Sequence, residues 1–435
     1  LYFQALTKGS TMSNVLLVGN DGTRTFAGTG TGACTARTIR FRDALVSQGF
    51  SVSVCSPEEG RSGVHEVQRF LSERQFDCIV AISPFPAEAV VVADPELPLW
   101  IDMNGMHPAE LQLESGRDGR SGERTLRMLS LENMLLSRGD AFSTPSRRQA
   151  YALYGELLVL GRSLQPGNCQ LMVSPVPHCS TEVQYTRSNP DSSFRIISTG
   201  SFNLWFDETT LFNALELAMS QNSSILAEIT GGRIPFSPEK YDNFCEMVAA
   251  SKHKDRFHLH GWVSTEELFE VYSRAAVAAY TDVSCPETLL GARTRVLDWV
   301  SRGIPVVCTE GAEISEDIRQ HDLGIVVPSG DSAAMAEAFL VLAADPAVRQ
   351  KITQKQKKWS SSEGSLLQVF APLFKWCENP CVVRKKQYGK PTVPKMNSLT
   401  YLGRIFMELA GSAGLVYALK RLAKRILRLP NRYVE

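Results

Sequence analysis

The sequence contains no run of about 18 apolar residues, so no segment of it is expected to span a membrane. It has no net charge: Lys plus Arg and Asp plus Glu both number 46. That balance argues against a bulk nucleic-acid binder, which would carry a basic excess. Its ten cysteines are scattered. The nearest pair, Cys377 and Cys381, has neither a second pair nor a histidine cluster to complete a zinc site, and free, mostly buried thiols in a reduced cytosolic compartment are expected. Three catalytic signatures are also missing, H-E-x-x-H, G-x-x-x-x-G-K-[ST] and G-x-S-x-G, which argues against zincin, P-loop and α/β-hydrolase chemistry. No signal peptide is evident. Residues 1–11 (LYFQALTKGST) read as a protease-site and linker scar, which puts the natural start near Met12.

What remains is an ordinary globular composition, 43% hydrophobic and 21% charged over 435 residues, too long for one core. Short apolar runs alternate with helical stretches at residues 14–19, 51–55, 77–83, 99–103, 140–143 and 170–176. The alternation restarts at 194–198 and continues at 226–230, 257–260, 276–280, 304–308 and 324–327. Strand, helix, strand at this spacing predicts α/β architecture: two Rossmann-like, doubly wound parallel-sheet domains facing each other across a cleft. The first spans residues 12–180 and the second 190–365, joined by a Pro- and Ser-rich hinge. Residues 366–380 are expected to form a helix crossing back toward the first domain, and 381–435 a basic helical tail. That tail holds about a dozen Lys and Arg against a couple of acids. Between Leu415 and Leu429 (LVYALKRLAKRILRL), apolar residues at helical spacing alternate with Arg421, Lys424, Arg425 and Arg428. Such a helix fits an anionic membrane surface, or packs on the body with its cations in water.

Ligands of doubly wound sheets sit beyond the strand C-termini, so the loops there carry the candidates. Gly28, Gly30 and Gly32 fit G-x-G-x-x-A before a helix, with Glu58 or Glu59 after the second strand. About eight residues separate these glycines from the strand, however, where a dinucleotide fingerprint turns at once. A ligand loop at a helix start is the better reading. Gly200, Ser201 and Asn203 follow the first strand of the second half, where glycine-turn amides suit a diphosphate; Asp207 next to them reads as a helix N-cap and Trp205 as core. At Gly261, Trp262 and Val263 a flat base can lie against the backbone, or Trp262 packs beneath a tight turn. The stretch PETLLGARTRVLDWVSRGIPVV (286–307) reads as one short amphipathic helix ending at Gly303 and leading into a strand; on it Arg293 and Arg295 offer forked donors to phosphate, and Asp298 can accept from a ribose diol. An isolated Arg/Asp helix start is also a common surface ion pair. His107 and His178, each beside proline, are candidate catalytic histidines, or merely bond a backbone.

Taken together and in this order, the glycine loop, STGSFNLWFDETTLFNALELA, HLHGWVSTEELFEVYSRA and ARTRVLDWVSRGIPVVCTEGAEISEDI resemble a GT-B glycosyltransferase of the family-4 type, over about residues 12–380. The resemblance implies a nucleotide-diphosphate sugar as co-substrate, no cofactor and no metal, with retention of the anomeric configuration. In its terms the second domain holds the donor, with Gly261–Val263 near the base and Asp298 on the ribose. The first domain presents a glycan or lipid-linked acceptor near Gly28–Gly32, Asp102 and His107. The family's E-x7-E places its first acid at Leu290 here; Glu287 stands in, facing the donor sugar. The family's Arg and Lys after the first strand of this domain are absent between Gly200 and Thr210, leaving Arg293 or Arg295 to supply the phosphate charge. The resulting expectation is a cytoplasmic enzyme of bacterial surface-polysaccharide assembly, peripheral on the inner face of the plasma membrane, with catalytic candidates Asp102, His107 and Glu287. Two other readings stay open: an inactive scaffold subunit of the same fold, and a nicotinamide-dependent enzyme using the Gly28 loop.

Overall fold

The computed structural model of the chain describes residues 12–22, 33–118, 121–162, 171–177, 193–234 and 237–383. The first half runs β1 (Asn14–Val18), α1 (Ala33–Ser47), β2 (Ser51–Cys55), α2 (Arg61–Glu73), β3 (Cys78–Ile82), α3 (Pro84–Ala93), β4 (Leu99–Asp102), α4 (His107–Asp118), α5 (Ser121–Arg138), β5 (Ala141–Thr144), α6 (Arg147–Val159) and β6 (Met172–Pro175). Its six strands are all parallel, in the order β2-β1-β3-β4-β5-β6. The central strands β3 and β4 are buried at every position, as a parallel sheet covered on both faces requires.

The second half repeats the plan. It runs β7 (Phe194–Ser198), α7 (Glu208–Gln221), β8 (Ile225–Thr230), α8 (Pro238–Ala250), β9 (Phe257–Gly261), α9 (Thr265–Arg274), β10 (Val277–Tyr280), α10 (Pro286–Leu290), α11 (Thr294–Ser301), β11 (Val306–Thr309), α12 (Glu313–His321), β12 (Gly324–Val327), α13 (Ser332–Ala344), α14 (Pro346–Ser361) and α15 (Leu366–Glu378). This sheet is also all parallel, ordered β12-β11-β10-β7-β8-β9. One apolar core lines it. Two others cover the faces of the first sheet.

The helix α15 belongs to the first sheet's core. Phe370 meets Phe41 edge-on at 4.8 Å, and Trp376 meets Trp100 at 5.6 Å. The Ser13 hydroxyl also donates to the Cys377 carbonyl at 2.7 Å. The last helix of the second half thus covers the first, which ties both ends of the described chain to one sheet.

Two expectations need correction. The thiols are not all free, because Cys381 is disulfide-bonded while seven others are free among the described residues. The stretch 286–302 is two helices rather than one, broken at Gly291. A Cβ at Gly291 would collide with the Glu287 carboxylate and the Arg293 guanidinium, so only glycine lets that pair fold back over the chain. Among the described residues, no helix is long and apolar enough to cross a membrane.

Candidate active site

In the second sheet the strand order reverses between β7 and β10, so the chain leaves these neighbours in opposite directions and opens a crevice at their C-terminal ends. Gly200 follows β7 with φ +94°, a conformation that L side chains resist. A Cβ there would lie 3.1 Å from the Arg295 guanidinium carbon, so glycine also makes room for that cation. Arg295 donates to the Ser201 carbonyl at 3.1 Å and lies over the Tyr280 ring at 5.0 Å. It makes no ion pair among the described residues. Among the described residues most of its donors, beside a glycine turn, have no acceptor. The half-buried Asn203 accepts the Phe206 amide on its own carbonyl, and Asp207 caps α7 through Thr210.

Arg293 has a different fate. Its Nε donates to Asp282 at 2.8 Å, and its two terminal nitrogens donate to Glu287 at 3.1 and 2.9 Å. Only 3% of the side chain is exposed, so it serves as a counter-ion between two carboxylates, with no fork left for a phosphate. This is a correction to the expectation that Arg293 offers its fork to a phosphate: its donors are taken by Asp282 and Glu287. Burial pushes Glu287 up to about 7 against the pull of Arg293, with Glu110 and Asp282 adding like-charge repulsion. Burial likewise raises Asp282.

Asp298 sits on α11 with 28% of its side chain exposed, 3.4 Å from Arg302. It also bonds the Tyr272 phenol, whose pKa is raised by burial and then by Asp298; the same phenol bonds Thr199, the residue before Gly200. The carboxylate therefore borders the glycine turn. Gly261, with φ +66°, presents its carbonyl to the Gly231 amide at 2.6 Å. Trp262 after it is exposed rather than packed beneath, its indole nitrogen donating to the Arg233 carbonyl, and Val263 is half-buried. Gly200, Ser201, Arg295 and Asp298 thus lie together, with Gly261 joined to them through Gly231, whose position a Cβ would fill against Gly200.

Asp102 does not join a site. Fully buried at the end of β4, it takes a two-pronged contact from Arg37 (2.6 and 2.6 Å) and the Ser143 hydroxyl at 2.6 Å. Arg37 in turn donates to the Val176 carbonyl. Every contact is internal, so Asp102 knits β4, β5, α1 and the end of β6 together and has no face for a substrate.

His107 opens α4, and burial lowers its pKa to about 4, leaving a neutral ring at pH 7. Its Nδ1 is buried without a hydrogen-bond partner among the described residues. Gly105, with φ +141°, makes room for both His107 and Glu110, and Glu110 is the carboxylate that raises Glu287 from across the cleft. The structure thus brings His107 and Glu287 to facing walls through Glu110. Sequence reasoning missed Glu110, although its place three residues after His107 on one helix face was a usable signal. It missed Asp282 too, for which no local pattern exists. Gly28, Gly30, Gly32, His178 and the tail from Leu415 to Leu429 lie outside the described residues.

Residues 195–345 match the family described as glycosyl transferases group 1. No curated protein matches the chain. Among solved structures, sucrose-phosphate synthase from Thermosynechococcus elongatus superposes with a TM-score of 0.62 at 13% identity, covering 83% of this chain and 98% of that one. A trehalose-phosphate synthase (UDP-forming) from Burkholderia vietnamiensis gives 0.60 at 12%, covering 84% and 99%. HepE of Anabaena in complex with UDP and glucose gives 0.58 at 14%, covering 85% and 100%. At such identities the likeness is one of fold, and the fold is GT-B.

Proposed function

We propose that this GT-B chain, whose residues 195–345 form a glycosyl transferases group 1 domain, transfers a sugar from a uridine-diphosphate donor to a hydroxyl of a glycan or lipid-linked acceptor. The observation that carries this is Arg295, a cation without an ion pair among the described residues, held against the Gly200 turn at the switch point of the donor sheet. When the bond from the anomeric carbon to the β-phosphate breaks, negative charge builds on the departing diphosphate. Fixed donors that already point there stabilise that charge without reorganising. Arg295 is such a donor beside the Gly200–Ser201 turn, where the Gly200 amide itself is spent on the Thr230 carbonyl at 3.0 Å, and the reading assigns the charge to Arg295 rather than to a metal. UDP as the nucleotide takes support from HepE, solved with UDP, and from the UDP-forming trehalose-phosphate synthase.

Asp298 bordering the turn takes the ribose hydroxyls, and Gly261 with the exposed Trp262 takes the base. Glu287, with a pKa near neutrality, bonds a hydroxyl of the donor sugar. Neutral His107 orients the acceptor hydroxyl from the opposite wall. Closure of the two walls keeps water from competing with the acceptor. Retention of the anomeric configuration, and a place in surface-polysaccharide assembly on the inner face of a bacterial plasma membrane, complete the reading.

Calorimetric titration with UDP tests it. Arg295→Ala is expected to weaken binding about tenfold or more, the worth of a charge-assisted pair of bonds. Asp298→Ala is expected to weaken UDP binding but not that of uridine lacking ribose hydroxyls. Unchanged UDP affinity in both variants would sink the site assignment. A second reading, an inactive scaffold of the same fold, is favoured by Leu290 in the acid's place and by Glu287 being locked to Arg293. Release of UDP from UDP-sugars by the purified chain excludes it.

A further inference from the structure

Three consecutive residues at the start of α6, in the first half, grip the second half. The Ser146 hydroxyl donates to the Leu290 carbonyl at 2.7 Å. The Arg148 side chain donates to the carbonyls of Leu289 at 3.2 Å and Gly311 at 2.6 Å, and pairs with Glu316. In return the Glu313 carboxylate, only 6% exposed, accepts the backbone amides of Arg147 at 2.9 Å and Arg148 at 2.8 Å. Asp317 adds a contact to the Arg147 guanidinium at 3.1 Å.

Two of those carbonyls end α10, the five-residue helix that carries Glu287. The last carbonyls of a helix have no partner inside it, and neither do its first amides. Here the C-terminal carbonyls of α10 and the N-terminal amides of α6 are satisfied by groups from opposite halves of the molecule. Parted, both helix ends revert to water, and Glu287 keeps only Arg293 to place it. Joined, α10 is held from both sides.

We propose that Ser146, Arg148 and Glu313 form a clasp that makes closure of the cleft and placement of Glu287 one event. They are positioning residues: none is assigned a contact with donor or acceptor, and they act on the sugar-facing carboxylate through α10. The clasp rests on the reading of Glu287 given above. It adds that alignment of this carboxylate is supplied by the first half, so the second half binds nucleotide on its own terms but is catalytically poised only when closed.

The test separates the two levels. In the full chain, Ser146→Ala, Arg148→Ala and Glu313→Gln are compared with wild type in UDP affinity, in steady-state transfer or donor hydrolysis, and in amide hydrogen exchange over residues 286–291. The clasp predicts a kcat lowered roughly 10- to 100-fold, as expected when a reacting group drifts by about an ångström. It predicts UDP affinity within about twofold of wild type, since the Gly200–Arg295 grip is untouched. Exchange over 286–291 should quicken while that of β7 and β10 stays as it was. A general loss of structure would lower kcat and UDP binding together and quicken exchange everywhere. Arg148→Lys, which keeps a donor but not the fork, is expected to restore part of the rate. If Arg148→Ala misfolds, Ser146→Ala, which removes one hydroxyl, stands in for it. Unchanged exchange over 286–291, or an unchanged kcat, overturns the clasp. A wild-type chain that binds no UDP overturns the donor reading instead, and the exchange result then decides the clasp alone.

Discussion

Glu132 shows how much one misplaced charge can weigh. It is 5% exposed on α5, and burial pushes its carboxyl up to about 8, with Glu156 and Glu110 raising it further. Because the folded value lies above the unfolded one, the folded state holds the proton more tightly. The stabilisation is complete below the unfolded value of 4.5 and drains away as pH rises toward 8. Glu132→Gln removes the titration. It is therefore expected to melt like wild type near pH 5 and to be more stable by about 1–3 kcal/mol at pH 8, read as a higher Tm in matched buffers. A variant less stable than wild type at pH 8 would show that the carboxylate is compensated there. At this scale the sequence was legible where chemistry is local. Asp207 next to Thr210 announced its cap, and Gly200 its turn. It was illegible where partners are remote: Asp102 looks catalytic at a strand end until Arg37, 65 positions away, is found lying across both its oxygens.

Among the elements, strands were the most legible, because a parallel strand covered on both faces must be a short, nearly unbroken apolar run. All twelve strands among the described residues were foreseen, with ends shifted by a residue or two, as caps and hydrogen bonds rather than hydropathy fix the ends. The division of 286–302 into α10 and α11 was not foreseen, because Gly291 inside a helical pattern is ordinarily tolerated. Only the Glu287–Arg293 pair folded over it makes the break obligatory. The helix α15 shows how an element far along the chain sustains the first sheet. Phe370, 1% exposed, fills the space between Phe41 and Phe374. Phe370→Ala is expected to destabilise the first half by about 3–5 kcal/mol through lost transfer energy and a residual cavity. The halves need not unfold together. Urea titration should therefore show an early transition that changes the fluorescence of the Trp100–Trp376 pair, followed by an unshifted one. A single transition at the wild-type midpoint would mean that α15 contributes little to that core.

For the molecule as a whole, the repeated alternation of apolar runs made two lobes legible, since each lobe must close its own core. The clasp between them was not, because its partners stand some 140 to 170 positions apart and meet only in the folded cleft. Beyond the lobes the sequence carries a strongly asymmetric end. The described residues have their own apolar cores and both sheets without residues 385–435. The basic positions Arg421, Lys424, Arg425 and Arg428 are interleaved with leucines at helical spacing. Each cation near an anionic leaflet is worth about 1 kcal/mol and is screened beyond a Debye length. Four of them with one apolar stripe are expected to give reversible binding to an anionic surface. Removing 385–435 is accordingly expected to abolish sedimentation with phosphatidylglycerol vesicles while leaving hydrolysis of a soluble UDP-sugar within about twofold. Binding by the full chain should fall steeply between 50 and 300 mM salt, a range chosen because the Debye length shortens across it from about 14 to about 6 Å. Vesicle binding that survives the truncation would move the membrane contact onto the two lobes. Binding that survives salt but not truncation would assign it to the leucines rather than to the charge.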